Sequence, residues 1–291
     1  MSHPSLTTGM AAVPRTVSGC EQFLSGSRTR DLKRHQMTSY LAALAGRTEA
    51  YLARLGVTDS PLEPTPDLLA RLHLAHLSTV PFENLSIHAG EVIQLDPGWL
   101  HEKIVGRRRG GFCYELNGLF AELLAALGFR VERLAARVFG DGGSLGIPFD
   151  HMCLRVDGAW LADVGFGDSF IRPLRFDDRG DQSDGRRTFR IADDGPGACV
   201  LHDAGHPVFR FELAPFALAD FAPGCDYHQT SPDSNFTRRR VVSRLTTDGR
   251  ITLRDDRLIT TDTTGKTETP IGNAVEWRRL AAEQFGLDLP G

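Results

Sequence analysis

The sequence predicts an α+β fold, and three observations carry that prediction. Apolar residues recur at helical spacing through the first half of the chain and stop at Gly128. From Arg130 the texture turns to short β-like runs separated by Gly, Asp and Pro, and the chain closes on a hairpin followed by an amphipathic helix. At 291 residues, 41% hydrophobic and 24% charged, the chain exceeds the length that one core usually serves, so two or three packed subdomains are expected.

Residues 1–37 mix Ser, Thr, Gly, Arg and Pro with no apolar period. They cannot offset the entropy of ordering and are expected to form a flexible arm, with Met37 a candidate start. A helical domain is expected over residues 38–129. Tyr40, Leu41, Leu44, Tyr51, Leu52 and Leu55 give a first helix that Gly56 stops. Thr65 as N-cap and Pro66 at the first helical position announce a second, which must end before Pro81. Leu116, Leu119, Phe120, Leu123, Leu124 and Leu127 define a third, with Gly128 as its stop. Residues 130–229 read as a β domain with strands near 130–139, 151–156, 159–164 and 208–213. Residues 230–291 hold strands near 238–245 and 250–253 around Asp248 and Gly249, then a helix near 274–285.

The net charge of −4, with basic residues scattered, argues against nucleic acid or an anionic membrane as partner. No apolar run is long enough to span a bilayer, and the N-terminus lacks a secretory pattern. Cys20, Cys113, Cys153, Cys199 and Cys225 are odd in number and widely spaced, as free thiols of a reducing compartment would be. A soluble cytoplasmic protein acting on small molecules is expected.

Cys113 opens the third helix directly after Gly110 and Gly111. A helix N-terminus presents unpaired N–H groups and partial positive charge, which lower a thiol pKa and can stabilise an oxyanion. The bland alternative is a small buried hydrophobe beside a turn. A base decides between them. His73 and His76 fall on an apolar helix and His3 and His35 in or near the arm, whereas His151 begins a strand that a second strand, ending at Asp163, follows. A hairpin would bring imidazole and carboxylate together, if its register allows. A two-residue turn of Asp157 and Gly158 would set Asp163 opposite Met152, away from His151. A loop of Val156, Asp157 and Gly158, with Gly158 left-handed, sets His151 directly opposite Asp163, and that register, or a compensating bulge, is the expectation. Asp157 and Asp168 are weaker candidates for the orienting acid. No ligand spacing supports a metal site through Cys113, His151 and Cys153.

The segment Arg109, Gly110, Gly111, Phe112, Cys113, Tyr114, Glu115 resembles the active-site motif of the arylamine N-acetyltransferases. Val80 to Leu85, Asp150 to Met152, Asp163 to Gly167 and Thr230 to Phe236 resemble further motifs of that family in the same order, over roughly residues 38–260. The resemblance implies a papain/transglutaminase-like cysteine-enzyme fold in three parts: an N-terminal helical bundle, a central β-barrel and a C-terminal α/β lid. It also implies a Cys113, His151, Asp163 triad and ping-pong transfer from acetyl-CoA to an arylamine, arylhydrazine or N-arylhydroxylamine. Acetyl-CoA is then a co-substrate, with no permanently bound cofactor and no metal. By the same resemblance Phe82 and Phe166 line the acceptor pocket, Glu83 and Arg109 form a supporting ion pair, and Thr230 and Ser231 lie near the CoA cleft. The oligomeric state stays open, a homo-oligomer included. The arm is longer, and the hairpin shorter, than the family pattern. Three alternatives remain: an amide synthase using the same triad, a papain- or transglutaminase-like hydrolase, and a non-catalytic binding module.

Overall fold

A computed structural model describes residues 42–59 and 61–289. The arm expected over residues 1–37, Met37 as a start and the opening of the first helix lie outside these residues. The compact unit that carries the site runs from Gly46 to Gly291.

Residues 46–55 are helical and stop at Gly56, whose φ of 71° no β-carbon-bearing residue adopts cheaply. Helix α1 (Pro66–Thr79) starts where the sequence says it must: Thr65 Oγ1 accepts from Leu68 N–H at 3.2 Å, and Pro66 sits at the first helical position. It buries Leu68, Leu69, Leu72, His73 and His76. Strand β1 (Phe82–Glu83) follows, then the short helices α2 (Leu85–His88) and α3 (Pro97–His101) and a π-helical turn over Glu102–Gly106 that drives Lys103 into the core. Helix α4 (Cys113–Ala126) is buried on nearly every face, and Gly128 ends it in the left-handed region.

Eight antiparallel strands come next: β2 (Val131–Val138), β3 (His151–Val156), β4 (Trp160–Ala162), β5 (Leu174–Arg175), β6 (Gln182–Ser183), β7 (Thr188–Asp193), β8 (Ala198–Asp203) and β9 (His206–Phe216). They form one sheet in the order β5-β4-β3-β2-β9-β8-β7-β6, a nearly closed barrel. The two end strands are not joined by a ladder. Instead the Gln182 side chain spans them, its Oε1 accepting from Arg175 N–H at 2.6 Å and its Nε2 donating to Arg175 O at 3.0 Å.

Helix α5 (Ala222–Thr230) and the short α6 (Asn235–Arg238) lead to β10 (Val241–Leu245), β11 (Arg250–Arg254), β12 (Arg257–Asp262) and β13 (Gly265–Pro270), and helix α7 (Ala274–Phe285) ends the unit. This second sheet has the order β1-β10-β11-β12-β13, so its first strand comes from residues 82–83, far back in the chain. Apolar burial divides three ways: the helices with one face of the barrel, the barrel interior around Phe209 and Phe211, and α7 against the second sheet through Trp277, Ala281 and Phe285. Among the described residues no helix is long and apolar enough to cross a membrane.

The expected hairpin register needs correction. The pairs are Leu154 with Ala162, Arg155 with Leu161 and Val156 with Trp160, so the loop is residues 157–159, one step later than expected. Asp157 (φ 51°) and Gly158 (φ 71°) are both left-handed, Ala159 N–H closes the turn on Val156 O, and Ala159 is the extra residue. His151 and Asp163 are therefore not directly opposite. The shift is two positions in pairing, which keeps both on one face, where they meet diagonally.

Candidate active site

The segment before Cys113 is fixed by close backbone approach. Glu83 N–H donates to Gly111 O at 2.8 Å, and Phe82 and Gly111 form an isolated parallel bridge. A β-carbon on Gly110 would collide with Pro81 O, and one on Gly111 would lie 2.7 Å from Glu115 Oε2, so both positions need glycine for room rather than for an unusual φ. Glu115 then folds back over the helix start. Its Oε2 accepts from Phe112 N–H at 3.1 Å and its Oε1 from Lys103 Nζ at 2.6 Å, both side chains fully buried. Arg109 Nη2 lies 2.8 Å from Glu83 Oε1, and Glu83 Oε2 accepts from Leu85 N–H.

Asp163 Oδ2 lies 2.7 Å from His151 Nε2, with both side chains buried. Its other oxygen accepts from Asn117 Nδ2 at 2.8 Å and Gly165 N–H at 2.9 Å. Asn117 also donates to Met152 O and accepts from Val164 N–H, so one side chain of α4 ties down both strands of the hairpin. Asn117 sits four residues after Cys113, one turn further on the same helix face. Gly165 lets the strands come this close: a β-carbon there would lie 2.7 Å from both Cys113 Cα and Asn117 Nδ2. His73 completes the support, its Nε2 accepting from Asp163 N–H and its Nδ1 facing Ile171 O, each at 3.2 Å. Burial pushes His73 down to about 4, so it is a neutral ring with Nδ1 protonated.

Cys113, His151, Phe82 and Phe166 line a common cavity of about 390 Å³ with Phe236, Ile147 and Asp150 among its walls. Phe166 meets the His151 ring edge-to-face at 5.2 Å. Thr230 and Ser231 do not line it. Their hydroxyls fold onto their own turn, Thr230 Oγ1 donating to Asp226 O and Ser231 Oγ accepting from Asp233 N–H, and Asp233, Ser234, Asn235 and Phe236 make the wall there. Asp157 caps the hairpin against Arg130 N–H, and Asp168 pairs with Arg187 and Arg250 beside a different cavity. A larger cavity, about 500 Å³, holds neither the cysteine nor His151.

One expectation is reversed. Burial pushes the Cys113 thiol well above its usual range, and the nearby Asp150 and Asp163 carboxylates push the same way, against the lowering expected from the helix start. Burial likewise raises Cys153, Cys199 and Cys225, the last to about 12. All four described cysteines are free, and no group of three or more metal-ligating side chains occurs among the described residues.

A family model described as N-acetyltransferase matches residues 65–291. The chain belongs to the arylamine N-acetyltransferase family. It is 35% identical to the arylamine N-acetyltransferase / N-hydroxyarylamine O-acetyltransferase of Salmonella typhimurium over 220 residues, 73% of this chain and 75% of that one. With the arylamine N-acetyltransferase of Mycolicibacterium smegmatis it shares 34% over 255 residues, 82% and 91% of the two chains. Its fold matches the solved Salmonella typhimurium enzyme with a TM-score of 0.78 at 32% identity, covering 83% of this chain and 91% of that one. It also matches the Mycobacterium marinum arylamine N-acetyltransferase solved with CoA, TM-score 0.74 at 30% identity, covering 82% and 92%. The α+β architecture of this arylamine N-acetyltransferase family member is thus the one its motifs implied.

Proposed function

We propose that this chain is an acetyl-CoA:arylamine N-acetyltransferase, passing acetyl through a Cys113 thioester to arylamines, arylhydrazines or N-arylhydroxylamines. The reading rests above all on the 2.7 Å His151–Asp163 pair in the wall of the cavity that Cys113 lines. Family membership and the CoA-bound relative support acetyl-CoA as donor.

With Nε2–H given to Asp163, His151 keeps Nδ1 free as a base. Because burial opposes a free-standing thiolate at Cys113, we assign its activation to proton transfer to His151. As Sγ attacks the acetyl carbon, its proton passes to Nδ1. The carbon–sulfur bond to CoA then breaks, and His151 returns the proton to the CoA thiolate. In the second half, the acceptor nitrogen attacks the thioester and gives its proton to His151, and the Cys113 thiolate leaves and is reprotonated. The N–H groups of Cys113 and Tyr114 have no acceptor among the described residues and are suited to hold the oxyanion of both steps. Phe82 and Phe166 would receive the acceptor ring, and Arg109 with Glu83 would hold the β1 backbone beside the cysteine. In the same proposal Thr230 and Ser231 act on CoA through the turn they brace. A cytoplasmic location would keep the thiol reduced.

Intact-mass measurement after mixing with acetyl-CoA tests this. An acetyl adduct is expected on the native chain, absent in Cys113→Ala and discharged by anisidine or a hydrazine. No adduct with any acyl-CoA would overturn the reading, and an adduct formed only from a carrier-bound acyl chain would favour an amide synthase.

A further inference from the structure

A second histidine–carboxylate pair lines the cavity, and neither member is used by the chemistry above. His228 Nε2 lies 2.9 Å from Asp150 Oδ1, and His228 Nδ1 lies 3.0 Å from Ser234 Oγ. Asp150 Oδ2 accepts from Val138 N–H at 3.1 Å. The Asp150 carboxylate can only accept, so His228 Nε2 carries the proton that it donates there, and in the neutral ring Nδ1 accepts from the Ser234 hydroxyl, whose oxygen also accepts from Phe236 N–H.

Asp150 is the residue immediately before His151, and four elements converge on it and its neighbour Phe149. Strand β2 contributes Val138 N–H. Helix α4 contributes Tyr114, the residue after Cys113, whose hydroxyl donates to Phe149 O at 2.6 Å and lies 3.0 Å from Asp150 O. Helix α5 contributes His228 and also Gly224, where a β-carbon would collide with Phe149 O. The loop after β2 contributes Gly146, where a β-carbon would collide with Asp150 Oδ2. Phe149 itself is held at φ 57°, a left-handed conformation that an aromatic residue keeps only where its surroundings impose it. The backbone entering His151 is thus strained and held from every side, and Tyr114 ties it to the cysteine helix.

We propose that Asp150 is a positioning residue for His151, that His228 and Ser234 act on the reaction through it, and that the Asp150 charge, in the same cavity wall, adds to the effect of burial on Cys113. The first two parts rest on the functional reading above. The charge part stands on the cavity alone. Among the described residues, the charged and titratable groups facing the thiol are Asp150 at the entry to β3, Tyr114 on α4, Asp163 after β4, Cys225 on α5 and His151. His228 is the side chain that offsets Asp150, and Arg137, next to Val138 on β2, donates to Gly146 O in the adjoining loop.

The test compares native protein with Asp150→Asn, His228→Leu and His228→Gln, reading acetyl-adduct formation, iodoacetamide alkylation of Cys113 against pH, and Tm. Misplacing His151 by a fraction of an ångström should slow adduct formation in His228→Leu by about tenfold to a hundredfold. His228→Gln, which can still offer N–H to Asp150, should recover most of the rate at a similar Tm. The alkylation midpoint should move in opposite senses, down in Asp150→Asn and up in His228→Leu, by about half a pH unit or more. A structural brace alone predicts no such opposition. Rate losses that simply follow Tm, or midpoints that stay put or move the same way, would overturn the proposal. If native protein takes no acetyl group, the functional reading fails and with it the positioning of a catalytic His151. The alkylation midpoints would still decide the charge part.

Discussion

Asp163 shows how a single carboxylate can divide its two oxygens between structure and chemistry. Oδ1 accepts two donors, from Asn117 and Gly165, while Oδ2 serves His151 alone. In Asp163→Asn the amide oxygen would settle where two donors wait, turning its NH2 towards His151 Nε2. That nitrogen must then accept, the ring proton moves to Nδ1, and the base towards Cys113 is lost. We expect turnover to fall about a thousandfold to ten-thousandfold with the fold intact, read from steady-state rates beside far-UV circular dichroism. Near-normal turnover would mean another acid orients the imidazole. The site's main residues were legible because cysteine, histidine and aspartate each sat inside a recognisable motif. Asn117 and His73 were not, because a lone polar residue on an apolar helix looks like ordinary core. The available signal for Asn117 was its spacing, one turn from Cys113 on the same face.

Helix α1 carries a cost that appears only in acid. His73 and His76 are fully buried, and desolvation pushes them down to about 4 and about 3. As pH falls through the ordinary histidine range near 6.5, the unfolded chain takes up protons that the folded chain refuses. Stability is therefore lost from pH 6.5 down to about 4 for His73 and about 3 for His76, amounting to about 2 kcal/mol per histidine at pH 5. Urea unfolding at pH 7 and pH 5 should show the drop, and His76→Phe should roughly halve it. An unchanged drop in that variant would clear His76. The start of α1 was legible to the residue through Thr65 and Pro66, and α7 agrees with the helix expected near 274–285, where Asn273 caps it and Gly286 at φ 68° ends it. Strands β7 and β8 and helix α5 went unread. Arg190 between Phe189 and Ile191, and the Pro, Gly and Asp within α5, interrupt short apolar patterns, and β8 offers only the four-residue apolar run Ala198 to Leu201. Strand β13 is exposed at every position and has no apolar pattern to find. The hairpin register differs by two positions because the three-residue loop lies one residue later than expected, with Asp157 as well as Gly158 left-handed.

At the scale of the whole molecule, single buried side chains join segments that are distant in sequence. Asn84 shows this: its Nδ2 donates to Phe236 O and Arg239 O, and its Oδ1 accepts from Val241 N–H, binding residues 82–84 to the C-terminal sheet while Glu83 grips Gly111. Between β5 and β6 the barrel's circumference is completed by one amide side chain, Gln182, where every other neighbouring pair has a ladder. A cylinder closed that way has a seam, and thermal opening should start there and spread towards β4 and then β3 before it reaches β2 and β9. Hydrogen exchange followed by mass spectrometry should find the Arg175 amide among the first barrel amides to exchange, and faster still in Gln182→Ala; uniform exchange around the barrel would count against a seam. The strand carrying His151 is two strands from that seam, so an opening that starts at β5 has only β4 to cross before it reaches the side of the barrel that serves the cysteine.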